Sequence, residues 1–200
     1  MMKPYHKFVF NQKTKEFIGD FEGMYKAGEE QGFDMWEQEN LMTMDNQLTL
    51  DVLSYIDVKS ILDLGCGKGK IGAYIAKHTN SFYTGVDISG TVVKLAEHRN
   101  ENHNFIEMNI NDINELKGLL SKRVYDLIIL KDVLAYCSNW KEIIRLCKLS
   151  AHYVYVCQYI PSDAIGYIKI VGELGDAIGS PKIFIATDEE LYIWLKKGNV

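Results

Sequence analysis

The rhythm of apolar and polar positions changes near residue 45. Before it, aromatic, glycine and acidic residues mix without a sustained period, as in FIGDFEGMYKAGEEQGFDMWEQEN. After it the pattern becomes regular. DNQLTLDVLSYI has apolar residues at helical spacing, with Asp45 placed as a cap. SILDLG is a short apolar run ended by glycine, and so a buried strand. Ile71, Tyr74 and Ile75 then mark a helix face. SFYTGVDIS, HNFIEMNI, YDLIIL and HYVYVCQYI are further strands, separated by the helical stretches TVVKLAEHRNEN, INELKGLLSK and NWKEIIRLCKL. The unbroken apolar run of YDLIIL suits a parallel strand covered on both faces.

Strands alternating with helices of this length predict βαβ units and an α/β fold: a doubly wound, mostly parallel sheet in a three-layer α/β/α arrangement. Such a sheet binds its ligand at the carboxyl ends of the strands, where strand order reverses. The chain divides into a cap or lid segment over residues 1–44 and a domain over residues 45–200.

Composition narrows the partners. The chain of 200 residues is 47% hydrophobic and 24% charged, average for a globular protein, with formal net charge −5. That balance argues against broad phosphate contacts with nucleic acid. No apolar run reaches the ~20 residues of a membrane span, and the start has no signal-type apolar core. Cys66, Cys137, Cys147 and Cys157 lack paired metal-type spacing, so they read as reduced thiols of a cytoplasmic protein with no bound metal.

Candidate chemistry concentrates after the first three strands. In DLGCGKG, Gly65, Gly67 and Gly69 close the first strand and open a helix, and glycine lets a ligand lie against the backbone. Position 70 is Lys70, where dinucleotide binding wants its third glycine, and no G-K-[ST] of a P-loop follows. Phosphate is therefore not the expected guest. Asp87, ending the second strand, can accept both hydroxyls of a ribose. Ser89 is the better cap for the helix beyond it. Asn109, after the third strand, offers an amide to an adenine edge, with Ile88 and Ile110 on either side of the ring; Asn111 or Asp112 would cap the next helix.

ILDLGCGKG, GVDIS, FIEMNIND and YDLIILKDVLAY, in this order, resemble class I S-adenosylmethionine-dependent methyltransferases over roughly residues 45–160. The resemblance implies a Rossmann-like methyltransferase fold with S-adenosyl-L-methionine as cofactor and S-adenosyl-L-homocysteine as product. It implies that Gly65, Cys66 and Gly67 hold the methionine part, that Asp63 supports the loop or the cofactor's amino group, and that Asp87 binds the ribose. Asn109 stands where the family commonly has Asp facing adenine, and Leu130 and Lys131 would lie beside the methionine moiety. In that family two more strands follow the fifth. Here TDEELYIWLKKGN reads as a helix capped by Thr187 with Glu190 at its third position, so the last two strands are expected to be missing or replaced by residues 161–186. An uncovered fifth strand would be a pairing edge, which points to a homodimer.

The loop after the fourth strand, KDVLAYCSNW, supplies the catalytic candidates Asp132, as a general base, and Tyr136, as an acceptor-orienting group. Tyr136 sits where related small-molecule enzymes carry histidine, and an ordinary phenol is a weak base at neutral pH. Gln158 and Tyr159 could touch the acceptor at the mouth of the fifth strand. Tyr25, Phe33 and Trp36, with Glu37 and Glu39, would close over the cofactor or seal the sheet's first helix. The expected function is methyl transfer to an O- or N-nucleophile of a small polar acceptor such as a sugar or sugar-linked metabolite. The rivals are an RNA or protein methyltransferase recruited by a partner, and an inactive cofactor-binding subunit.

Overall fold

The first strand, β1 (Ser60–Leu64), fixes the centre of the molecule. Its side chains alternate, with Ile61 turned to one apolar layer and Leu62 and Leu64 to the other. In the computed structural model, which describes residues 6–160, 173–174, 183–186 and 190–200, β1 is flanked by parallel β2 (Phe82–Asp87) and β4 (Tyr125–Lys131). Beyond them lie β3 (Asn104–Glu107) and β5 (Ala151–Ile160), also parallel. The reversal of strand order at β1 and β4 opens the carboxyl-edge crevice.

The same alternation in β4 and β5 sorts Leu127, Ile129 and Tyr155 to one face and Ile128, Leu130, Val154 and Val156 to the other. Helices α3 (Met44–Ser54), α4 (Lys70–Thr79) and α5 (Gly90–Arg99) cover the first face; α6 (Ile113–Leu120) and α7 (Trp140–Lys148) cover the second. The three layers follow from strands apolar on both sides.

The carboxyl end departs from the sequence reading. Glu190–Lys197 is not a helix but a strand, β7, antiparallel to β5 from Tyr153↔Lys197 to Ile160↔Glu190, and β6 (Ile183–Ala186) pairs on its outer side. The sheet has seven strands in the order β3-β2-β1-β4-β5-β7-β6, so the last two strands are neither missing nor replaced. The physical reason lies in the period. Leu191, Ile193 and Leu195 face one layer while Tyr192 and Trp194 face the other. Burying both sides outweighs a helix-start pattern whose proposed cap, Thr187, lies outside the described residues. Because β7 covers β5 along its length, the argument for a homodimer through an open fifth strand no longer stands. The expectation of a substitute element in 161–186 falls mostly outside the described residues.

The amino-terminal segment carries more structure than its aperiodic sequence suggested. Helix α1 (His6–Val9) and helix α2 (Phe21–Gln31) precede a single 3-10 turn at Met35–Glu37. Asp20 caps α2 by accepting from Gly23 N–H, and Gly32 ends it in the left-handed region. Val9, Met24, Tyr25 and Met35 bury against Val92 of α5, with Phe21, Trp36 and Tyr136 packed around them.

Candidate functional site

Backbone geometry forces the glycine loop. Gly65 has φ +83° and a Cβ there would stand 2.5 Å from Val133 Cγ2; Gly67 has φ +53° and a Cβ would meet the Gln38 amide at 2.5 Å. Side chains are excluded by conformation and by space. Gly65 and Cys66 N–H both donate to Val86 O, at 2.8 and 2.9 Å, which ties the turn to β2.

Asp87 closes the other side. Its carboxylate is buried and accepts from Gly67 N–H at 2.9 Å and Ser89 N–H at 3.1 Å. Burial raises its pKa, and these backbone donors oppose that rise. A carboxylate has about four lone-pair sites, so two bonds leave acceptor capacity for a pair of hydroxyls. That capacity is compatible with the hydroxyls of a ribose, and the residues present fit an adenosyl ligand here.

Asp63 lies in β1, two residues before Gly65. It is buried and accepts from Tyr83 Oη–H at 2.9 Å. Burial pushes its pKa up to about 7, against the Tyr83 hydrogen bond and the Lys131 charge. Cys66 is half-buried, and burial holds its thiol protonated, with the charges of Asp87 and Asp63 adding to the effect. Ile88 is 44% exposed, a free apolar face beside Asp87, whereas Ile110 is packed in the core, so the two do not form equal walls. Asn109 is exposed, and its carbonyl accepts from Asn111 N–H at 3.0 Å, the local loop arrangement that competes with an adenine contact. Asp112 takes the cap of α6, and Ser89 caps α5.

After β4 the polar groups satisfy one another. Leu130 is fully buried in the apolar core. Lys131 donates to Asp45 at 2.5 Å and to Asp132 at 2.7 Å. Burial works against its charge, but Asp132 and Asp45 outweigh it and hold the ammonium protonated well above the ordinary lysine range. Asp45 is thus not a helix cap; Thr43 holds that position, and Asp45 bolts α3 to β4. The second oxygen of Asp132 accepts from Tyr159 N–H at 2.6 Å, so both oxygens are engaged, and its backbone is held at φ +54°. Tyr136 lies in the turn Leu134–Tyr136, its ring 5.2 Å from Phe21, 6.0 Å from Phe17 and 6.2 Å from Trp36. Its packing partners are the amino-terminal aromatics rather than the helix that follows it. Gln158 is buried, and its Oε1 has no partner among the described residues.

Two clamps missed by sequence reading seat the amino-terminal segment on these loops. Glu22 accepts from Ser89 Oγ at 2.6 Å and from Thr91 N–H and Oγ, at 3.1 and 2.7 Å. Lys68, between two glycines, is buried and donates to Asp34 at 2.9 Å and Glu39 at 2.7 Å, and Arg99 also pairs with Glu39. A lysine inside a glycine turn followed by no phosphate-binding motif was the available signal. Of the lid candidates, Tyr25, Phe33 and Trp36 join the apolar cluster of the amino-terminal segment, Trp36 also meets Tyr136, Glu39 accepts from Lys68, and Glu37 accepts from the Asn40 amide. Among the described residues no cluster of three His, Cys, Asp or Glu could hold a metal ion, and no helix is long and apolar enough to cross a membrane.

The sheet order, the glycine turn after β1 and the acid ending β2 define the class I S-adenosylmethionine-dependent methyltransferase fold. A family model described as a methyltransferase domain matches residues 57–171, and the chain belongs to that family. A putative methyltransferase of Geobacillus sp. (strain WCH70) is 26% identical over 139 residues, which cover 68% of this chain and 53% of that protein. The chain therefore spans about half the length of this curated relative. Among solved structures, the plantazolicin methyltransferase BpumL, in complex with a monoazolic analog and S-adenosylhomocysteine, superimposes with TM-score 0.62 at 16% identity, covering 88% of this chain and 91% of that one. Magnesium protoporphyrin IX methyltransferase from Synechocystis PCC 6803 gives TM-score 0.54 at 17% identity, covering 86% and 95%.

Proposed function

We propose that this chain transfers the methyl group of S-adenosylmethionine to an oxygen or nitrogen of a small acceptor, with S-adenosylhomocysteine as the other product. The observation that carries this reading is Asp87, a buried carboxylate with spare acceptor capacity, hydrogen-bonded to the bare backbone of Gly67 at the point where strand order reverses. The cofactor supplies an activated methyl on a sulfonium, so the protein's task is to align the acceptor and exclude water. Asp87 and Ile88 would hold the adenosine half and Gly65–Gly67 would border the rest. Asp132 is paired with the Lys131 ammonium, and that pair holds the loop after β4 in shape, so positioning is the part we assign to this loop.

The wall beside the crevice favours one refinement. Phe17, Phe21, Trp36 and Tyr136 form a continuous aromatic surface next to the loop after β4. Such a wall suits an acceptor with an apolar or ring-bearing body better than a bare sugar, whose hydroxyls would lose water there without new partners. The two similar folds are named for plantazolicin and for magnesium protoporphyrin IX, so this sheet sets no narrow limit on acceptor size. The test has two stages. Calorimetry should show S-adenosylhomocysteine binding to the folded protein. Methyl-labelled cofactor should then mark ring-bearing hydroxyl or amine acceptors ahead of free sugars. A folded protein that ignores the cofactor would remove the proposal, and exclusive labelling of sugars would remove its refinement.

A further inference from the structure

Gln38 is the one amino-terminal side chain hydrogen-bonded to the backbone of the glycine turn among the described contacts. Its Oε1 accepts from Lys68 N–H at 3.2 Å and its Nε2 donates to Tyr25 Oη at 2.8 Å. The same amide lies where a Cβ on Gly67 would be, 2.5–2.7 Å from that position. Tyr25 is buried, and Gly67 N–H itself donates to Asp87, so the Gln38–Tyr25 pair stands on the same residue that holds that carboxylate.

The placement of Gln38 is enforced from several sides. Asp34 accepts Glu39 N–H at 2.8 Å, which closes the turn that carries Gln38. Lys68 Nζ grips Asp34 and Glu39 together, and Lys70 Nζ donates to Glu39 O at 2.6 Å. Glycine turn and cap turn are thus one unit, with Gln38 at the join.

A ligand whose ribose lies on Asp87 and whose chain runs along the bare turn must pass Gly67, and there it meets the Gln38 amide. In the proposed cofactor the group beyond the ribose is an amino acid, which at neutral pH carries an ammonium and a carboxylate. A carboxamide offers a donor and an acceptor at once, and Tyr25 adds a hydroxyl. Backbone N–H groups of the turn cannot replace them: Gly65, Cys66 and Gly69 N–H are spent on backbone carbonyls and Gly67 N–H on Asp87. We propose that Gln38, with Tyr25, binds the amino-acid end of the cofactor, making the amino-terminal cap a wall of the cofactor site. The inference rests on the methyltransferase reading above.

Ligand truncation tests it. The full-length protein and its Gln38→Leu variant are titrated calorimetrically with S-adenosylhomocysteine and with 5′-methylthioadenosine, which keeps the nucleoside and lacks the amino acid. Gln38→Leu should weaken S-adenosylhomocysteine about tenfold, the size of a lost pair of hydrogen bonds, and leave methylthioadenosine within about twofold. Tyr25→Phe, which keeps the buried ring, should weaken only S-adenosylhomocysteine, by about threefold. Equal losses for both ligands would make Gln38 a structural prop. An unchanged or tightened affinity would make it a bystander or a plug, and either overturns the proposal. If the unaltered protein binds neither ligand, the cofactor reading itself falls; if it binds both and the variants do not discriminate, only this inference falls.

Discussion

The two halves of the sheet's carboxyl edge are built on opposite plans. After β1 and β2, the backbone is bare and the one carboxylate, Asp87, is held by two N–H groups with acceptor capacity left over. After β4, among the described residues, the charged groups pair with one another: Lys131 lies between Asp45 and Asp132, and Asp132 also accepts from Tyr159 N–H. The first half holds its carboxylate with neutral backbone donors, and the second ties its carboxylates to a lysine ammonium. Charged residues at a crevice edge are therefore not equivalent evidence of catalysis.

The sharpest way to break this contrast is to remove the bolt. Lys131→Met leaves Asp45 and Asp132 facing each other without their shared cation. Losing one partner of a buried pair costs about 3–5 kcal/mol. The lower end is expected here, because the side chains of Asp45 and Asp132 remain 22% and 32% exposed. Urea unfolding measures it, and a loss under about 1 kcal/mol would show that the pair behaves like a surface salt bridge. Asp87→Ala should instead spare the fold and weaken S-adenosylhomocysteine at least about tenfold, as hydrogen bonds to a bound sugar are lost. Unchanged affinity in the folded variant would take Asp87 out of the site.

Acid should separate the cap from the sheet. Hydrogen bonds from Ser89 and Thr91 hold the Glu22 pKa down at about 2, and those from Lys68 and Arg99 do the same for Glu39. Both folded values lie below the ordinary 4.5. The stability they contribute is complete above pH 4.5 and is lost as pH falls from there toward 2. Both side chains are about 40% exposed, so solvent discounts the effect. Corrected amide exchange in α2 should rise roughly threefold to tenfold relative to β4 between pH 6 and pH 3. Parallel changes in both elements would mean that the clamps do not hold the cap separately.

What was legible beforehand follows the same division. The bare glycine turn and the place of Asp87 at the end of β2 were legible because backbone constraint and chain position fix them locally. The five parallel strands were readable because runs such as YDLIIL are apolar on both faces. The contacts that seat the cap on the glycine turn were not, since Gln38 and Lys68 are 30 residues apart and Lys68 and Asp34 are 34 apart, in a segment with no period. Asp45 misled for a similar reason: its partner Lys131 is 86 residues away, and at short range it looks like a helix cap. The T-x-x-E start of the last segment imitates a helix, while the alternation of Leu191, Tyr192, Ile193 and Trp194 belongs to a strand whose neighbour, β5, is distant in sequence.

The smallest expected effect falls on the residue that first looked catalytic. Tyr136 stands in the right loop, but its ring is packed among Phe17, Phe21 and Trp36, which makes its apolar body its main contribution. Tyr136→Phe preserves that body and should change kcat by less than about threefold with a ring-bearing acceptor. A general base or acid contributes typically ~10²–10⁴-fold, so a hundredfold fall would restore the hydroxyl to the chemistry. Tyr136→Ala sharpens the point, since aromatic pairs contribute roughly 0.5–1.5 kcal/mol beyond the area they bury. Removing the ring should raise KM and loosen the cap together, while Tyr136→Phe does neither. If the two variants behave alike, the wall beside the crevice is not what holds the acceptor.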